Sequence, residues 1–102
     1  MHQAIEQHLP ELQRLCERCG VECLTLFGSG ARADFSPERS DIDLMVTFKD
    51  MEPARLADAY FGLKEDLEAL LQREVDLVTE RSISNPYFRR EIERDNAVVY
   101  AA

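Results

Sequence analysis

Residues 41–48 alternate strictly between apolar and other positions, and this alternation constrains the fold more than any other feature of the chain. The apolar set is Ile42, Leu44, Val46 and Phe48, and the set between them is Asp41, Asp43, Met45 and Thr47. Because successive side chains of a strand point to opposite faces, the pattern predicts a β-strand with one face in a core. Both carboxylates then lie together on the other face.

A second strand is predicted over residues 21–27, directly before the turn formed by Gly28 and Ser29. We expect one face to carry Val21, Cys23, Thr25 and Phe27, and the other to carry Leu24 and Leu26. Apolar residues on both faces favour a central place in the sheet. After the turn, a short helix is expected over 29–33 and a loop over 34–40, which contains a Ser-Pro pair.

The rest of the chain predicts helices alternating with short strands. A helix with Pro10 in its first turn ends at Gly20, and the residues before it form a separate turn or lead-in. The later elements are a helix from Pro53 to about Gln72, a strand over 74–79, a helix from Pro86 to Arg94 capped by Asn85, and a short strand over 97–100. The fold class is therefore α/β (α+β), with a single domain over residues 1–102. Helices back one face of a small sheet and leave the other face for a site.

Charge and cysteine content narrow the classes of function. The 102 residues carry a net charge of −8, with 20 acidic and 12 basic residues. This balance disfavours long DNA or RNA as a ligand and favours a basic protein partner. There is no apolar run of about 18–20 residues and no signal-peptide pattern, so we expect no membrane association and a cytoplasmic location. Cys16, Cys19 and Cys23 fit small buried thiols, with a metal site as the alternative.

Two groups of residues could carry chemistry. Asp41 and Asp43 share a strand face, and a divalent cation would relieve their repulsion; magnesium prefers a few carboxylates together with phosphate oxygens. Asp76 would join them if its predicted strand neighbours theirs. The turn Gly28-Ser29, between a strand and a helix, could bind an anion through backbone amides. The alternatives are solvent-exposed aspartates and a plain turn with a serine cap.

In combination, the two groups resemble a known signature. Leu-Phe-Gly-Ser-Gly-Ala-Arg followed by Ser-Asp-Ile-Asp-Leu is similar to the motif of the nucleotidyltransferase superfamily that includes polymerase β. Almost the whole chain, including Val75–Val78 and Asn85–Ile92, looks like the minimal nucleotidyltransferases that act as antitoxins of HEPN/MNT pairs. Eleven residues separate Ser29 from Asp41, where the group more often has ten, and the intervening loop can absorb the extra residue.

The resemblance implies a polymerase β-like fold with a small mixed sheet. It also implies Mg²⁺ as cofactor, ATP as substrate, and transfer of AMP to a tyrosine of a HEPN-type toxin, with which the chain would form a hetero-oligomer. The implied site residues are Gly28, Ser29, Arg32 and Arg39 for the nucleotide, and Asp41, Asp43 and Asp76 for the metal and catalysis.

Several alternatives stay open at this point. The chain could neutralise a toxin by binding alone, or it could transfer AMP to a small molecule such as an aminoglycoside. Arg32 and Arg39 could contact phosphate or an acidic patch of the partner, or could simply be solvated. The last helix has a basic side made of Arg89, Arg90 and Arg94, which fits either a solvated surface or contact with a partner or nucleotide.

Overall fold

The computed structural model describes residues 3–28, 42–94 and 96–102, and these form helices on a four-stranded sheet. The elements are α1 (Gln3–Gln7), α2 (Leu9–Cys19), β1 (Val21–Phe27), β2 (Ile42–Phe48), α3 (Pro53–Leu71), β3 (Val75–Thr79), a 3-10 turn (Glu80–Ser82), α4 (Pro86–Arg94) and β4 (Asn96–Ala101). Each strand and each long helix predicted within these ranges is present. No helix among the described residues combines the length and apolar character needed to cross a bilayer.

The sheet has the strand order β3-β2-β1-β4 and is mixed, as expected. Strand β1 pairs antiparallel with both β2 and β4, and β2 pairs parallel with β3. A parallel pair needs a long crossover connection, and α3 supplies it between β2 and β3. The central position predicted for β1 is therefore confirmed.

Helices α1, α2 and α3 provide the helical side of the main core. Its fully buried side chains are Ile5, Leu12, Cys16, Val21, Leu24, Leu26, Ile42, Leu44, Val46, Leu63 and Leu67. Helix α1 has only five residues and would not persist alone, so the burial of Ile5 in this core explains why a helix forms where a turn or lead-in was expected. Arg18 of α2 and Asp66 of α3 join the two long helices through an ion pair of 2.7 Å.

The face predicted for Val21 is wrong. Val21 pairs with Phe48, whereas Cys23 pairs with Thr47, so two steps along β1 match one step along β2. This β-bulge inserts one extra residue, Glu22, and reverses the alternation before it. Val21 consequently enters the main core with Leu24 instead of sharing a face with Cys23.

Two predicted helix ends are confirmed by their caps. Gly20 adopts a left-handed conformation with φ +72°, and its N–H donates to the carbonyl oxygens of Cys16 and Glu17 at the end of α2. At the start of α4, the Asn85 side-chain oxygen accepts a hydrogen bond of 2.9 Å from the Tyr87 N–H. Each cap satisfies backbone groups that have no partner within the helix.

The cysteines agree with the buried-thiol interpretation. Cys16 is fully buried, Cys19 and Cys23 are half-buried, and all three are free thiols. Within the described ranges, no group of three or more His, Cys, Asp or Glu residues is arranged to hold a metal ion. Burial raises the pKa of the Cys16 thiol to about 12, so this thiol is neutral at physiological pH.

We expect iodoacetamide at pH 8 to modify Cys23 of the native protein well before Cys16. The attacking species is the thiolate, and Cys16 combines a raised pKa with complete burial. Peptide mass spectrometry over a time course measures the two rates, and denaturant should remove the difference between them. Equal rates in the native protein would show that the reagent reaches the Cys16 thiol as easily as that of Cys23.

Candidate functional site

Two of the three predicted aspartates lie side by side in the sheet. Asp43 of β2 and Asp76 of β3 are paired in register, between the buried pairs Ile42–Val75 and Leu44–Leu77. Because paired residues of adjacent strands point to the same face, both carboxylates lie on the face opposite the main core. Adjacent strands are about 4.8 Å apart, so the condition set for Asp76, a strand next to that of Asp43, is fulfilled.

Gly28, at the end of β1, lies against the Asp43 carboxylate. Its φ is +69°, and a Cβ added at this position would be 2.7 Å from Asp43 Oδ2. Phe27, the residue before it, pairs with Asp43 across the β1–β2 ladder. Only glycine fits both the positive φ and the narrow space beside Asp43. The absence of a Cβ lets the backbone of the turn lie directly against the carboxylate.

Helix α4 covers part of the face that carries the aspartates. A second, smaller apolar cluster forms there from Phe27, Ile83 and Ile92, with the half-buried Met45 and Val78 packed against it. The sequence predicted that this face stays open for a site, whereas α4 packs on part of it. The available signal was the four-residue spacing of Phe88 and Ile92, which defines an apolar stripe on an otherwise charged helix.

Two further contacts fix α4 in this position. The rings of Phe27 and Phe88 meet edge to face, with centroids 5.7 Å apart. The Arg89 guanidinium donates to the Ile83 carbonyl oxygen at 2.9 Å and lies 3.7 Å from Glu80 Oε1. Arg89 therefore connects α4 to the 3-10 turn, which is a structural use that the sequence analysis did not assign to it.

The aspartates border two different clefts. A cleft of about 340 Å³ separates α4 from the ends of β1 and β2, and its lining residues are Phe27, Gly28, Asp43, Phe88, Glu91, Ile92 and Arg94. A shallower depression at the β3 edge is lined by Tyr60, Asp76, Leu77, Val78, Thr79 and Ser82. The Tyr60 hydroxyl donates to the Leu77 carbonyl oxygen in this second region. Asp43 thus borders the cleft beside α4, and Asp76 borders the depression at the β3 edge.

The remaining predicted site residues are outside the ranges that the structure describes. They are Ser29, Arg32, Arg39 and Asp41, together with the helix expected over 29–33 and the loop expected over 34–40. Of the predicted site, the structure brings together Gly28, Asp43 and Asp76. The roles assigned to all seven residues remain predictions.

The described donor atoms suit a hard divalent cation. Asp43 and Asp76 offer only carboxylate oxygens, the ligand type that Mg²⁺ prefers in proteins. Their in-register placement gives the two carboxylates one shared face, and Asp41 precedes Asp43 by two residues in sequence. The residues that would hold Mg²⁺ are therefore Asp43 and Asp76, with Asp41 as the third predicted ligand.

Comparison with known proteins identifies the family of this chain. The family model described as "Nucleotidyltransferase domain" matches residues 5–99. The chain therefore belongs to the nucleotidyltransferase domain family and is a nucleotidyltransferase. A curated relative from Methanocaldococcus jannaschii, "Putative protein adenylyltransferase MJ1379", is 42% identical over 81 residues, which are 79% of each protein.

Solved structures place the chain within the minimal form of this fold. A structure described as a "putative minimal nucleotidyltransferase" is 34% identical, covers 95% of both chains and has a TM-score of 0.75. A toxin–antitoxin structure with AMP-PNP matches at 22% identity and a TM-score of 0.68, covering 92% of this chain and 73% of the other. A tri-AMPylated Shewanella oneidensis HEPN toxin in complex with MNT antitoxin gives 20% identity, a TM-score of 0.64, and coverage of 96% and 73%. The last two likenesses concern the fold alone.

Proposed function

We propose that this nucleotidyltransferase transfers AMP from Mg-ATP to a tyrosine of a HEPN-type toxin and thereby acts as its antitoxin. The observation that carries the proposal is the in-register pair of Asp43 and Asp76, with the Gly28 backbone against the Asp43 carboxylate. The adenylyltransferase name of the curated relative supports AMP as the transferred group. The AMP-PNP and HEPN-toxin complexes among the structural neighbours support ATP and a toxin as substrates.

In this proposal the turn and the aspartates have separate tasks. Gly28 and Ser29 bind the triphosphate through the turn, while Arg32 and Arg39 contact phosphate or the partner. Asp41, Asp43 and Asp76 would hold Mg²⁺, and the bound metal would supply positive charge that offsets the charge on the phosphate oxygens. Asp76 is exposed on the edge strand, so an acceptor hydroxyl can reach it.

The reaction is an in-line displacement at the α-phosphorus of ATP. The tyrosine oxygen forms a bond to this phosphorus, the bond to the oxygen bridging the α- and β-phosphates breaks, and pyrophosphate leaves. Asp76 helps to activate the tyrosine hydroxyl, as a base that accepts its proton or as a ligand of the metal. Positioning and electrostatic stabilisation account for most of the acceleration in such transfers.

The net charge of −8 supports a protein acceptor with a complementary basic surface. Transfer of AMP to an aminoglycoside is the alternative, because such a polycation also complements an acidic surface, and it is included as a second acceptor in the experiment.

The proposal is tested by incubating the protein with a HEPN-type partner, Mg²⁺ and ATP labelled at the α-phosphate. We expect label on a partner tyrosine, confirmed by a mass increase corresponding to AMP. Parallel reactions use ATP labelled at the γ-phosphate, which should leave no label, and an aminoglycoside in place of the partner. No transfer to the partner, with toxin activity still inhibited, would instead indicate neutralisation by binding alone.

A further inference from the structure

The cleft between α4 and the strand ends has two walls. Gly28 and Asp43 belong to the first, and the second is formed by side chains of α4 to which the nucleotidyltransferase motif gives no role. Phe88, Glu91 and Arg94 line it from α4, opposite Gly28 and Asp43. These three residues are spaced by three, so they follow one side of the helix over about 9 Å. That length is comparable to the distance from the phosphates of a nucleotide to its base.

The structure separates the three arginines of α4 by their surroundings. Neither Arg89 nor Arg90 lines the cleft. Arg94 does line it, and it is the one basic side chain among the described residues of this cleft. Asp43 and Glu91 contribute negative charge there, and a guanidinium on this wall would favour a triphosphate bound nearby.

Both ends of this side of α4 lie near Phe27, the residue before the glycine turn. Arg94 precedes Asn96 by two residues, and Asn96 pairs with Phe27, the neighbour of Gly28. The Arg94 end of the helix therefore lies towards the glycine turn. Phe88 lies almost two turns earlier in the helix and is 36% exposed, and its ring also packs against Phe27. The apolar side chain of Ile92 lines the same cleft.

We infer that this side of α4 is the second wall of the nucleotide site, with Arg94 binding the phosphates of ATP and Phe88 packing against its nucleoside. The inference rests on the proposed function and extends it to residues outside the Gly-Ser and aspartate motifs. The cleft offers both an apolar surface and a guanidinium, which matches the amphipathic character of a nucleotide.

Arg94 is tested by comparing Arg94→Gln with Arg90→Gln, an identical change on the same helix but outside the cleft. Isothermal calorimetry with Mg-ATP, and competition by inorganic triphosphate, measure binding. We expect Arg94→Gln to weaken both ligands by roughly ten- to a hundredfold, the usual effect of losing a charge-assisted hydrogen bond. Arg90→Gln should bind as the wild type does.

Phe88 is tested with Phe88→Leu and the control Tyr87→Leu, whose side chain is 75% exposed and does not line the cleft. We expect Phe88→Leu to weaken Mg-ATP by about three- to tenfold and to leave inorganic triphosphate unaffected, because the lost ring contact concerns the nucleoside alone. Thermal melting of each variant verifies that the fold is retained, and a folded Phe88→Trp variant should keep ATP affinity.

The outcomes separate the inference from the proposed function. If wild-type protein transfers AMP but Arg94→Gln binds ATP and triphosphate normally, or triphosphate does not compete with ATP, Arg94 is not a phosphate contact. If Phe88→Leu weakens both ligands equally, or neither, the nucleoside contact is wrong. If wild-type protein binds no Mg-ATP, the inference and the proposed transfer both fail.

Discussion

Asp43→Asn is expected to lower the rate of AMP transfer by about three orders of magnitude while the fold is retained. The substitution keeps the size of the side chain but removes the charge that would hold Mg²⁺ beside Asp76. Three orders of magnitude correspond to about 4 kcal/mol of transition-state stabilisation, within the several kcal/mol that a bound metal can contribute. Asp43 is only half-buried at the sheet end, so the core does not depend on it.

The control for this change is Asp58→Asn, which makes the same substitution at an exposed position on α3. Initial rates of label transfer at saturating Mg²⁺, with circular dichroism of each variant, separate activity from folding. Asp76→Asn should reproduce the loss, because the two carboxylates share one face of the sheet. Full activity in a folded Asp43→Asn protein would falsify the assignment of this residue to the metal.

Gly28→Ala is expected to remove most of the transfer activity and to lower the melting temperature of the protein. The new Cβ would be 2.7 Å from Asp43 Oδ2, so the carboxylate must move away from the turn. A non-glycine residue at positive φ also costs about 1–2 kcal/mol. For a chain of this length, each kcal/mol shifts the melting temperature by about 4–8 °C.

Gly20→Ala provides a matched control, because Gly20 has φ +72° and an added Cβ would be 2.9 Å from Met51 Cε. Both variants therefore combine similar backbone strain with one close contact, but only Gly28 is beside the site. Melting curves should show comparable losses, while transfer rates at a temperature where both are folded should fall for Gly28→Ala alone. Equal activities of the two variants would mean that the turn does not position Asp43.

Local sequence patterns were sufficient to predict most of the individual helices and strands. The alternation in β2 depends only on the two-residue repeat of an extended backbone, so the sequence was enough to place Asp43 on the face opposite its apolar neighbours. Gly20 and Asn85 were recognisable as caps because their preference arises from backbone groups within a few residues. The same local reasoning failed at Val21, because a bulge depends on pairing with another strand.

Most of the site was decided by contacts between distant parts of the chain. Asp43 and Asp76 are 33 positions apart, and only the parallel pairing of β2 with β3 makes them neighbours. The sequence could state this pairing as a condition but could not establish it. The family resemblance supplied the expectation of a shared metal, and the register of the two strands places two of the predicted ligands side by side.

The sequence by itself determined the elements, their caps and the face of β2 that carries a carboxylate, because these depend on backbone geometry over a few residues. Tertiary structure alone decided that Asp76 lies beside Asp43, that α4 covers part of their face, and that Arg89 and Arg94 have different surroundings. Those features follow from which surfaces bury one another, and burial joins residues that are remote in sequence.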